Sequence, residues 1–168
     1  CTAWTGTWNV AASGVGAAPT SYVHDVSLLG SQCYRYRLSA TDNVNNTDTS
    51  AVSDARRVDR DAPTVAITTP VDGSFGGGTI SIEGDADSGI VSVLVSWTGP
   101  SSGTCIPVTV TAVGPAWTFD CDWDTTLSGD GTYVISVMSV DLAGNVSAPV
   151  TATVTVDNVP PYVAFHSF

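Results

Sequence analysis

The chain has 168 residues, 43% of them hydrophobic, and a mean hydropathy of +0.19, enough apolar material for one complete small domain and part of another and too much for a disordered chain. Sixteen Asp and Glu stand against five basic residues, Arg35, Arg37, Arg56, Arg57 and Arg60, with no Lys, and the net charge of −11 argues against binding to nucleic acid or anionic lipid. The longest apolar runs, such as residues 90–97, fall far short of the roughly 20 residues a membrane helix needs, so the expectation is a soluble chain with no membrane insertion.

Along the chain the local signals are those of short strands. After Cys1, Trp4, Trp8 and Tyr22 come Leu28 to Tyr34, with Cys33, and then the turn Asp42-Asn43-Val44-Asn45-Asn46. Beyond Pro63, β-branched or alternating runs occur at residues 64–68, 79–83, 91–97, 107–113, 117–121, 133–140 and 150–156, which predicts about seven strands. Gly- and Asp-rich clusters between them, at 70–73, 76–78, 85–89, 99–103, 128–131 and 143–145, read as turns. Tyr133, Ile135 and Val137 share one face of their strand, and Trp97 is the expected core tryptophan. The fold class is all-β.

The chain also repeats. A shift of 99 superposes Leu28 on Leu127, Gly30 on Gly129, Tyr34 on Tyr133, Asp42 on Asp141 and Asn46 on Asn145; a shift of 98 then superposes Val58-Asp59 on Val156-Asp157 and Pro63 on Pro161. A period near a hundred residues matches a whole small β-sandwich. The predicted organisation is therefore the C-terminal part of one module at 1–60, a complete sandwich at 61–158, and at 159–168 the start of a third module or a linking strand.

Leu127-Ser-Gly-Asp-Gly-Thr-Tyr133 followed by Val140-Asp-Leu-Ala-Gly-Asn145 resembles the ending of bacterial immunoglobulin-like modules of surface proteins. Leu28 to Tyr34 with Leu38-Ser-Ala-Thr-Asp42 is closer to a fibronectin-III ending, and the junctions at 58–63 and 156–161 resemble the linkers of such arrays. The resemblance implies tandem Ig-like or FnIII-like sandwiches, extracellular or at the cell surface, and a tyrosine corner made by Leu127 with Tyr133 and by Leu28 with Tyr34.

Cys1 and Cys33 fall in one module, Cys105 and Cys121 in the next, with no CxxC pair; two intramodular disulfides are expected, four free thiols being the alternative. A chain without Lys cannot form a Lys–Asn isopeptide link. The candidate cation site, for calcium, is Asp42 with Asp59 and Asp61 beside the module junction, although the neighbouring arginines can satisfy the same carboxylates. Beyond calcium no cofactor is expected. Asp85 to Gly89 lacks the closing glutamate of an EF-hand. His24-Asp25 is an isolated pair whose side chains would point to opposite faces if they lie on a strand, and no nucleophile elbow, HExxH or phosphate loop is present, so no enzyme activity is expected. Trp4, Trp8, Trp117, Trp123 and Tyr22 exceed what one core needs, and exposed rings would suit a sugar.

Three functions fit. The first is a spacer or stalk in a surface protein or adhesin, with neighbouring modules or a protein ligand as partners. The second is a subunit of an extracellular filament, in which residues 162–168 add a strand to an identical chain. The third is a carbohydrate-binding accessory module of a secreted enzyme.

Overall fold

In the computed structural model, residues 31–114 and 116–164 are described. The chain divides into two compact units, Cys1–Asp61 and Ala62–Phe168. In the first, β1 (Cys33–Tyr34) pairs antiparallel with β4 (Arg56–Arg57) and β2 (Ser39–Thr41) with β3 (Thr47–Thr49). Between the paired strands, serine hydroxyls join the backbone bonds from the Ser50 N–H to the Leu38 carbonyl and from the Ser53 N–H to the Tyr36 carbonyl. The backbone N–H of Leu38 donates to Ser50 Oγ and that of Tyr36 to Ser53 Oγ, both at 2.9 Å. No described residue of this unit is buried.

The second unit is a two-layer sandwich. One sheet has the order β10 (Thr109–Val113), β11 (Ala116–Asp124), β7 (Thr79–Ala86), β5 (Val65–Thr69); the other has β6 (Ser74–Gly76), β13 (Val150–Val156), β12 (Gly131–Asp141), β8 (Ile90–Thr98), β9 (Ser102–Thr104). All neighbours are antiparallel except β6, which runs parallel to β13. Period-two alternation sets the faces. On β12, Tyr133, Ile135 and Val137 are fully buried while Thr132 and Val134 face out. The same rule puts Ile82 of β7, Val95 of β8, Phe119 and Trp123 of β11 and Val154 and Val156 of β13 into one core.

The seven predicted strands are present, with shifted ends, and two more join them. β6 and β9 each have three residues and lie at a sheet edge; their Gly-rich sequences carry no apolar alternation, because each packs only its backbone and one side. Gly84 shows why a strand interior can need glycine: a Cβ there would collide with the Ala66 carbonyl and the Phe119 ring. Residues 157–164 form no strand, and the rest of the predicted linking strand, 165–168, lies outside the described residues. No helix among the described residues is long and apolar enough to cross a membrane.

Candidate functional site

The two Asp-Asn turns form the same structure. Asp42 Oδ1 accepts from the N–H groups of Val44 (2.9 Å) and Asn46 (2.8 Å), and Oδ2 from Asn46 Nδ2 (2.8 Å). Asp141 does likewise with Ala143, Asn145 and Asn145 Nδ2, at 2.8, 2.8 and 2.9 Å. The donor bonds, led by the Asn side chain in each case, lower both carboxyl pKa values. Asn45, at φ 65, holds the left-handed position that Gly144 holds at φ 87, one of the few L-residues that tolerate it. Both carboxylates are thus turned onto their own loops.

Asp59 Oδ2 pairs with Arg57 at 2.8 Å, and Asp59 Oδ1 accepts from the Asp61 N–H at 3.3 Å. Asp42, Asp59 and Asp61 are not brought together; among the described residues no three His, Cys, Asp or Glu side chains are grouped to hold a metal. Local hydrogen bonds engage the Asp42 oxygens, and Arg57 and the Asp61 N–H engage those of Asp59. Asp87 Oδ2 accepts from the Thr64 N–H at 2.6 Å, tying the start of β5 to the loop after β7. His24 and Asp25 lie outside the described residues.

Trp97, Trp117, Trp123 and Tyr133 belong to the core or pack against it, whereas Phe75 and Tyr162 are exposed. Trp97 stacks on Trp123, with ring centroids 4.6 Å apart, and Trp123 meets the Tyr133 edge at 4.9 Å. Trp123, on β11, is the buried tryptophan; Trp97, expected in that role, is only partly buried, because it lies near the end of β8 where the short β9 covers it incompletely. Trp117 also packs against the core, while Trp4, Trp8 and Tyr22 lie outside the described residues. Tyr133 Oη donates to the Gly129 carbonyl at 2.7 Å and lies 3.1 Å from Ser101 Oγ. Leu127, the leucine expected in this corner, stands in solvent at 88% exposure: it ends the 3-10 turn Thr125–Leu127, whose buried member is Thr125. In the first unit Tyr34 lies in β1 and Leu28 outside the described residues.

Cys105 and Cys121 are bonded, Cα atoms 6.3 Å apart. Cys121 lies on β11, whereas the Cys105 N–H extends the β8–β9 ladder by donating to the Val95 carbonyl at 3.0 Å. The disulfide therefore joins the two sheets. Cys33 is also disulfide-bonded; the expected partner, Cys1, lies outside the described residues.

The remaining polar cluster is where the sandwich ends. Asn158 Oδ1 accepts from the Gly78 N–H (2.7 Å) and Thr125 Oγ1 (3.2 Å), Asn158 Nδ2 donates to the Thr125 carbonyl (3.1 Å), and the Asn158 N–H donates to Asp130 Oδ1 (2.9 Å). The next N–H, of Val159, donates to Asp157 Oδ1 at 2.9 Å. An open hollow of about 420 Å³ lies beside it, lined by Gly77, Gly78, Thr126, Asp157, Val159 and Pro160. The first unit ends in the same way: the Arg60 N–H donates to Ser31 Oγ at 3.0 Å, and the Asp61 N–H to Asp59 Oδ1. Ser31 and Asp130 are equivalent in the 99-residue register, Asp59 and Asp157 in the 98-residue one.

Residues 77–158 match the family described as Bacterial Ig-like domain. Over those residues the second unit is similar to a bacterial Ig-like domain. Solved structures similar to the chain include an endo-beta-1,4-mannanase from Thermotoga petrophila (TM-score 0.46, 16% identity, 60% of this chain and 21% of that one). Others are the fibronectin(III)-like modules of Clostridium thermocellum CbhA (0.45, 19%, 80% and 68%) and the SrpA adhesin from Streptococcus sanguinis (0.40, 15%, 60% and 60%). The chain thus spans about a fifth of the mannanase chain and three fifths of the adhesin chain. No curated protein sequence matches it. Within the Ig-like domain the singled-out polar groups among the described residues brace turns and the chain exit. The Asn158 cluster was missed by sequence reasoning. Its signal was available in the repeat, since Val58-Asp59 and Val156-Asp157 coincide in the 98-residue register, and an Asp after a strand end is a common start of an Asx turn.

Proposed function

We propose that this chain is a non-catalytic structural array of β-sandwich modules, a spacer within a secreted or surface protein of bacterial type that works outside the reducing cytosol. What supports this most directly is the repeated brace at the end of each unit, in which the last residues are hydrogen-bonded back onto their own module at Ser31 or Asp130. A braced exit transmits load and direction from one module to the next, as a stalk requires. The Cys105–Cys121 bond across the two sheets suits the same role and an oxidising compartment. Single-molecule stretching of the full chain tests the proposal. A spacer gives a discrete unfolding event for the second unit, and reduction lengthens its contour by roughly 55 Å, the slack of the 16-residue separation the disulfide encloses. Gradual extension without a discrete event would overturn the spacer role. Saturable binding of a soluble polysaccharide would replace it with that of a carbohydrate-binding accessory module.

A further inference from the structure

The two outer faces of the Ig-like domain differ in charge. On the four-stranded sheet, Glu83 and Asp85 of β7 and Asp120, Asp122 and Asp124 of β11 are exposed, with Asp120 directly opposite Glu83. No Lys or Arg occurs anywhere in residues 62–168 to offset them, and like charges opposed across a strand pair cost stability. On the five-stranded sheet the alternation of β12, β13, β8 and β9 presents only Thr, Ser, Val, Met and Leu up to Val140. At its centre the register sets Val134 beside Thr98 and Thr153, and Met138 beside Leu94. Phe75 of β6, 82% exposed, stands next to Thr155 at the edge. Asp72, at the same edge, is engaged by the Thr153 N–H at 2.7 Å.

We infer that this uncharged sheet face docks a second copy of the same chain, sheet against sheet. In a molecule carrying a net −11, a symmetric approach of acidic sheet to acidic sheet brings carboxylates together, whereas approach through the neutral sheet leaves both acidic sheets on the outside, as far apart as the assembly allows. A face with no charge needs no opposite charge to be self-complementary about a two-fold axis. A basic partner would instead select the acidic sheet. Five strands about 4.8 Å apart and averaging about seven residues give roughly 500–600 Å² per copy, below the ~800 Å² per partner of a standard stable interface. The contact is therefore weak in dilute solution and becomes effective where many copies are held close together. This lateral contact is separate from the spacer role, which stands or falls on the stretching experiment.

Sedimentation of the full chain from roughly 10 μM to about 1 mM, the range suited to an interface of this size, tests the inference. The mass should rise from 17.2 kDa toward twice that value, and more readily at high salt, which screens the repulsion between acidic bodies. Val134→Asp and Thr153→Glu, both at outward positions that leave the core intact, should each weaken the dimer at least about tenfold, since a two-fold axis places the new charge on both sides. Asp120→Asn, on the opposite sheet, should leave the dimer unchanged or tighter. A chain that stays at 17.2 kDa throughout overturns the inference, as does a dimer that survives both outward-face variants with its near-ultraviolet tryptophan signal native.

Discussion

At the scale of single residues, Asn158 joins the turn before β7, the 3-10 turn and the chain beyond β13 through one amide. Asn158→Ala leaves the Gly78 N–H and the Thr125 carbonyl without that partner in a partly buried place, so a loss of about 1–3 kcal/mol is expected in urea unfolding; a loss under a few tenths would mean water replaces the amide without cost. Asp141 offers a pH test. Its folded-state pKa lies below the ordinary 3.8, chiefly through the Asn145 side-chain bond. A lowered carboxylate contributes stability above its unfolded pKa and loses it as pH falls through the folded one. The stability gap between the native chain and Asp141→Asn should therefore be full near about pH 7 and close as the pH drops below about 4. A gap of constant size across that range would show that the turn does not depend on the charge.

At the scale of elements, the inter-sheet disulfide closes a 16-residue separation, and removing it by Cys105→Ala with Cys121→Ala should cost about 3 kcal/mol, read as a lower urea midpoint. Gly84→Ala tests packing: the added methyl meets the Ala66 carbonyl and the Phe119 ring, and a loss of about 1–3 kcal/mol is expected. The long strands were legible in the sequence because a two-sheet core imposes alternation, as Tyr133, Ile135 and Val137 show. β6 and β9 were not, because they are three-residue edge segments whose Gly76 and Gly103 leave no room for a side chain against Ile80 and Trp97, so no apolar alternation is written. Trp123 was hidden by its neighbours: it alternates with Asp122 and Asp124, and acidic flanks suggest a surface ring although the period of two puts them on the opposite side. Leu127 misled for the reverse reason, since an apolar residue six places before a buried tyrosine can still end a 3-10 turn in solvent. The Asp42 and Asp141 turns were readable as turn formers from the short distance between Asp and Asn, whereas the role of Asn158 depends on Thr125 and Gly78, which the sequence separates from it by 33 and 80 positions.

At the scale of the molecule, charge is divided unevenly. The five arginines all lie between positions 35 and 60, and the Ig-like domain has none. Self-repulsion among its carboxylates is screened by electrolyte, so its thermal midpoint should rise on going from about 10 mM to about 0.5 M sodium chloride; a flat or falling midpoint would show that the acidic sheet is already neutralised by something bound. The same absence of Lys and Arg bears on resistance to proteolysis. Trypsin-like proteases cut only after Lys or Arg, and the last such bond follows Arg60. Residues 61–168 should therefore persist as one fragment under exhaustive tryptic digestion even after reduction and denaturation, when folding protects nothing. The whole sandwich is invisible to that class of enzyme by composition, so an unfolded copy remains long enough to refold where a lysine-bearing equivalent would be destroyed.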